Sequence, residues 1–149
     1  MCTRWYRSPE LLYGSNHYDY SVDMWSVGCI IGELLQKWPL FKGSSDIEQL
    51  CLVVTQLGEP PVWWAEKLPD YNKITFTKDN QKDNLWLDKL QRKCNDPFGV
   101  DLVSKLCNYT ERLNAQQALN HPFVKRHLKA DGIFFKPQFI KHLVGPPNN

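Results

Sequence analysis

The chain has 149 residues, 42 % of them hydrophobic, six Trp and a formal net charge of +2, which suits one packed domain and excludes a disordered, highly charged polymer. So small a charge gives no case for nucleic acid as a partner, although five Lys or Arg against one Asp between 125 and 149 leave a weakly basic tail behind a weakly acidic body. Five cysteines without Cys-x-x-Cys spacing favour reduced intracellular thiols; with no signal peptide and no apolar run of membrane-spanning length, the expectation is a cytoplasmic or nuclear protein with no membrane partner.

The opening stretch Thr3-Arg4-Trp5-Tyr6-Arg7-Ser8-Pro9-Glu10 reads as a loop. Asp23 then heads a helix over Val22–Leu35, where a carboxylate is favoured by free N–H groups and the helix dipole. Its apolar residues fall on nearly every side, the pattern of a buried core helix, and Trp38 before Pro39 is expected to end it. Gly28 and Gly32 suggest a face that another segment approaches closely.

Ser45–Leu57 predicts an amphipathic helix, because Ser45-x-x-Glu48 is a capping box and Ile47, Leu50, Cys51, Val54 and Leu57 recur at helical spacing. Gly58 and Pro60-Pro61 stop it. In the stretch from Val62 to about Asn95, Trp63, Trp64 and Trp86 call for burial, while Thr77–Asn84 is polar and loop-like. Asp96–Tyr109 reads as another helix, which Asp96 caps with Pro97 at its first position and Leu102, Val103, Leu106 and Cys107 on one side. A short helix follows, where Asn114-x-x-Gln117 resembles a capping box and Ala115, Ala118 and Leu119 are expected to face inward. Lys125-Arg126-His127 reads as a solvated basic face, and the Phe134-Phe135 and Phe139-Ile140 pairs as candidates to pack back on the body. No segment alternates with period two, so the expected fold is mainly α. The histidines 17, 121, 127 and 142 show no ligand spacing, and no metal site is expected.

Several of these phrases together resemble the eukaryotic protein kinases. Trp5-Tyr6-Arg7-Ser8-Pro9-Glu10 is similar to the close of the activation segment, with Ser8 where Ala is usual. Asp23-Met24-Trp25-Ser26-Val27-Gly28, Pro39-Leu40-Phe41, Leu68-Pro69-Asp70-Tyr71 and Leu119-Asn120-His121-Pro122-Phe123 follow in the family's order. The Trp-Tyr-Arg narrows the likeness to the proline-directed group, and the text as far as Ile74 is most similar to its cyclin-dependent-kinase-like, cell cycle-related branch. What is missing is equally informative. There is no Gly-x-Gly-x-x-Gly, no Val-Ala-x-Lys and no His-Arg-Asp, and Asp96-Pro97-Phe98-Gly99 has an intervening proline and the wrong place to be the magnesium-binding triplet.

The resemblance implies the C-terminal, helical lobe of the kinase fold, incomplete, with a partial domain over 1–123, a group-specific insert at about 59–95 and a tail over 124–149. It implies that Thr3, Arg4, Trp5 and Arg7 build the proline-directed substrate pocket, that Glu10 and Arg112 form a buried structural ion pair, and that Asp23 anchors the catalytic loop. ATP and Mg belong to the full-length family, and neither is expected to bind this chain, which is expected to be inactive alone. Implied partners are protein substrates carrying Ser/Thr-Pro and a cyclin-like activator or docking partner at the insert; the family likeness adds the cilium as a location. The alternative is a non-catalytic interaction module that competes for partners of the full kinase. Either way, a lobe without its upper half is expected to leave apolar surface bare around the Val22–Leu35 helix.

Overall fold

The structure, a computed structural model, describes residues 4–76 and 86–130. Among them there are helices and turns but no strand, the mainly α lobe expected of an incomplete kinase fold. A 3-10 turn at Arg4–Tyr6 leads into α1 (Pro9–Leu12), α2 (Ser21–Gln36), α3 (Asp46–Leu57) and α4 (Val62–Ala65). A second 3-10 turn at Tyr71–Lys73 precedes α5 (Trp86–Lys93), α6 (Pro97–Leu106), α7 (Ala115–Leu119) and α8 (Pro122–Ala130).

Helix α2 is the central strut and packs chiefly on α6. Gly28 permits this, since a Cβ there would lie 2.7 Å from Leu106 Cβ and 2.8 Å from Cys107 Sγ; Gly32 instead admits the loop after α2, where a Cβ would lie 2.5 Å from a Leu40 methyl. Trp25 and Cys29 of α2 meet Phe41, Val53, Trp86, Leu90, Val100 and Val103 in the main core, with Trp25 stacked on Phe41 at 5.8 Å. Two satellite clusters join it, one around Tyr13, Leu50 and Val54, the other around Leu102, Leu106 and Ala118. In Gly28→Ala the gain in helix propensity, about 1 kcal/mol, is offset by overpacking that costs about 1–3 kcal/mol. Since the clash is with a Cβ that cannot swing away, the expected outcome is a lower urea midpoint; a rise would show that α2 and α6 do not touch there.

Helix α2 is not buried all round. Val27, Ile30 and Leu34 are 39 %, 48 % and 63 % exposed, so one apolar stripe faces outward. Nor does Trp38-Pro39 end the helix. It stops at Gln36 because Lys37 turns left-handed (φ 64°) and donates its N–H to Glu33 O, so the exit is made before the proline acts.

Helix α3 begins where expected, with Ser45 Oγ accepting from Glu48 N at 3.1 Å. The reciprocal half of the box is displaced by one residue: the Glu48 carboxylate accepts from Ser44 N and Ser44 Oγ. Its inward face is also rotated. Ile47 is 65 % exposed, while Gln49, Leu50, Val53 and Val54 are buried, because α3 seats against α1 and the Arg4–Tyr6 turn.

Within the segment expected to be an insert, Trp86 and Leu90 belong to the main core and Trp63 stays 57 % exposed. Thr77–Asn84, and with it the loop expected there, lies outside the described residues. Asp96 caps α6 by accepting from Phe98 N and Gly99 N, with Pro97 at the first helical position. Asn114 and Gln117 form a full capping box on α7. Of the three residues expected to face inward there, Ala118 is buried, whereas Ala115 is exposed and Leu119 is 45 % exposed. A helix of five residues buries little more than one side chain against its neighbours.

Helix α8 runs from Pro122 to Ala130, across the expected start of the tail at 124. Its Arg126 is more than a solvated charge: it pairs with Asp96 and lies 5.5 Å from the Phe98 ring centroid. His121 is structural, with Nε2 2.9 Å from Asp101 Oδ2 and Nδ1 accepting from Phe123 N. The Phe134-Phe135 and Phe139-Ile140 pairs lie outside the described residues.

Candidate functional site

Four residues of the opening segment take part in one arrangement. The Arg4–Tyr6 turn is closed by Arg7 N donating to Arg4 O at 3.0 Å. The Asp46 carboxylate, at the start of α3, bridges the two arginines: Arg4 Nε to Oδ1 at 3.0 Å and Arg7 Nη1 to Oδ2 at 3.1 Å. Arg4 Nη1 also donates to Ser44 O, and Trp5 Nε1 to Gly43 O. The buried Gln49 completes the seat, its amide donating to Trp5 O and its Oε1 accepting from Gly43 N. Gly43 is needed here, because a Cβ would lie 2.5 Å from Gln49 N and 2.6 Å from Gln49 Cα, both backbone atoms. Tyr6 Oη donates to Glu33 at 2.6 Å, and that bond, ahead of burial, holds its hydroxyl above the ordinary range. Thr3 lies outside the described residues.

Below this segment Glu10 meets Arg112. Nη1 donates to Oε1 at 2.7 Å and Nη2 to Oε2 at 3.2 Å, a fork on a carboxylate, with side chains 4 % (Arg112) and 11 % (Glu10) exposed. Arg112 spends its other donors on Ser21 O and Asn108 O, and its guanidinium lies 5.2 Å from the Trp25 ring centroid. One side chain thus joins α1, the start of α2 and the connection between α6 and α7. Beside the pair opens a cleft of about 1070 Å³, lined among others by Tyr20, Met24, Trp64 and Tyr109.

Asp23 occupies the first turn of α2 and is exposed. The carboxylate that serves the helix start is Asp19, which accepts from Ser21 N at 2.8 Å. Sequence reading missed Asp46 and Gln49 as supports of Arg4, Trp5 and Arg7. The Ser45-Asp46-Ile47-Glu48 helix start was visible, but nothing local names its partner some forty residues earlier.

Cys29, Cys51, Cys94 and Cys107 are free thiols, and burial, then the neighbouring Cys107, pushes the Cys29 thiol up. Among the described residues no three His, Cys, Asp or Glu are grouped to hold a metal ion. No helix among them is long and apolar enough to cross a membrane.

A family model, the protein kinase domain, matches residues 1–124. Cyclin-dependent kinase 20 of Danio rerio is 51 % identical over 128 residues, covering 83 % of this chain and 36 % of that protein. The Homo sapiens protein of the same name is 47 % identical with the same coverage. Extracellular signal-regulated kinase 7 of Drosophila melanogaster is 36 % identical over 130 residues, 85 % of this chain and 14 % of the relative. The chain thus spans 36 % of the length of the cyclin-dependent kinase 20 relatives it matches. Sequence, helical fold and relatives agree: this chain belongs to the protein kinase domain family, as a cyclin-dependent-kinase-like member.

Proposed function

We propose that these residues are the lower, C-terminal platform of a proline-directed protein serine/threonine kinase of the cell cycle-related branch, carrying peptide recognition and scaffold without the catalytic centre. The whole enzyme transfers the ATP γ-phosphoryl group to protein Ser or Thr hydroxyls, with Mg. Its partners are proteins bearing Ser/Thr-Pro and a cyclin-like activator or docking partner, met at the insert over about 59–95, and its place is the nucleus, cytoplasm or cilium. The partial domain runs over 1–123, with the tail beyond it, and Asp23 is assigned to anchor a catalytic loop.

The observation that carries this reading is the closed turn beside Trp5. With Arg7 N–H already on Arg4 O, and both guanidiniums tied to Asp46, this backbone offers poor acceptance to a further N–H. A peptide residue laid there with an N–H loses a hydrogen bond to water, worth about 1–3 kcal/mol when left unsatisfied; proline has no N–H to lose. Arg4, Trp5 and Arg7 are therefore assigned to the substrate pocket, with Thr3 added on the family resemblance alone, and Glu10–Arg112 to holding it on the helices.

The test is binding of labelled peptides to the 149-residue chain by fluorescence anisotropy. A Ser-Pro peptide is expected to bind about tenfold tighter than its Ser-Ala twin, the low end of that penalty, and Asp46→Ala is expected to erase the difference. Equal binding of the twins would remove the assignment. A second reading, an interaction module that competes for partners of the full kinase, is favoured by the exposed Val27, Ile30 and Leu34 stripe. Capture of a full-length kinase's known partner by this chain, lost in Leu34→Asp, would support it.

A further inference from the structure

One charge near the Arg4–Arg7 segment is held without a counter-charge. Lys42, which follows the Leu40-Phe41 core pair, is exposed, and its ammonium sits between two indoles, 5.2 Å from the Trp5 ring centroid and 4.9 Å from that of Trp38. The neighbouring carboxylates are engaged elsewhere: Asp46 by Arg4 and Arg7, Glu48 by Ser44, Glu33 by Tyr6. Among the described residues Lys42 has no carboxylate partner. Trp38 is 58 % exposed, so the clamp stands at the surface and is open to a ligand.

A lysine normally keeps several rotamers in play. Two aromatic faces reduce that freedom without neutralising the charge, since cation–π attraction leaves the ammonium's outward N–H groups available. The result is a positioned, unneutralised cation resting on Trp5, the middle residue of the segment assigned to peptide binding. A fixed cation at a binding margin attracts a carboxylate and repels a second cation, so it acts on selection more than on affinity.

We propose that Lys42, clamped between Trp5 and Trp38, is a specificity-determining residue that favours an acidic side chain in the peptide bound along Arg4–Arg7. This rests on the reading of that segment as the peptide site. The residue it selects is a Glu, Asp or phosphorylated side chain, and the positions after the proline, next to the residue laid on the turn, are the ones to be tested.

The experiment uses the full chain and Ser-Pro peptides with Glu or Lys at each of the three positions after the proline, their affinities read by anisotropy at low salt. At one position the Glu peptide is expected to bind about three- to tenfold tighter than the Lys peptide, the range of a partly exposed charge pair. Added salt shrinks the preference. Lys42→Glu reverses it, Lys42→Arg keeps it, and the charge-matched control Lys89→Glu, on the exposed side of α5, leaves it unchanged. Reductively ¹³C-methylated Lys42 is expected to show an upfield, ring-shifted methyl signal that moves when the Glu peptide is added. If Ser-Pro peptides beat Ser-Ala twins with no charge preference, or if the preference survives Lys42→Glu, the Lys42 assignment is overturned and the peptide site stands. If no peptide binds the monomeric protein, both fall.

Discussion

Arg112→Met is expected to lower the stability of the chain by about 3–5 kcal/mol, because it leaves the Glu10 carboxylate buried and without its partner. The loss is large against a domain's total of about 5–15 kcal/mol. The replacement retains the side chain's apolar length, so it removes charge and donors more than packing. Besides Glu10, the carbonyls of Ser21 and Asn108 lose a donor, and three elements lose their common tie. Urea denaturation followed by Trp fluorescence is the measurement. Adding Glu10→Gln to Arg112→Met is expected to recover part of the loss, since an uncharged amide is far less costly to bury than a carboxylate. A loss below about 1 kcal/mol in the single variant, the range of an exposed pair, would show that the fork is not buried in solution.

Trp25→Ala is the second large effect. Trp25 is fully buried, stacked on Phe41 and covered by the Arg112 guanidinium, so truncation opens a cavity that the neighbouring glycine-lined contact between α2 and α6 cannot close. The expected cost is about 3–5 kcal/mol. Trp25→Phe keeps an aromatic face on Phe41 and is expected to cost clearly less. Because Arg112 rests on the ring, Trp25→Ala and Arg112→Met together are expected to cost less than the sum of the two, which a double-mutant cycle by chemical denaturation measures. Strict additivity would mean that the core and the ion pair are separate structures.

The sequence displayed its local physics well. Asp96 with Pro97, and Asn114 with Gln117, each announce a helix start through atoms two or three residues apart, and those starts are where the structure has them. Errors came where one of several local partners, or a distant neighbour, decides. The Glu48 carboxylate chose Ser44 over Ser45, Lys37 took a left-handed turn ahead of Pro39, and α3 rotated to bury Gln49 and Val53 with Ile47 left in water. The buried polar Gln49 is intelligible only once Trp5 and Gly43 are seen to surround it. The same limit applies to the site. Glu10 and Arg112 could be paired through family resemblance, since no local pattern links residues 102 positions apart. Asp46, which had no such guide, went unread as the bridge between Arg4 and Arg7 although it lies in a helix start that the sequence marks.

The central claim is that a peptide-recognition segment is held ready on a helical platform. Its most direct test is a nuclear magnetic resonance titration of the ¹⁵N-labelled chain with a Ser-Pro peptide. The account predicts shifts concentrated in the amides of Arg4–Arg7 and the Trp5 indole N–H, absent with the Ser-Ala twin and lost in Arg112→Met. Shifts that spare Arg4–Arg7 and the Trp5 indole, or the same shifts with both peptides, would contradict it.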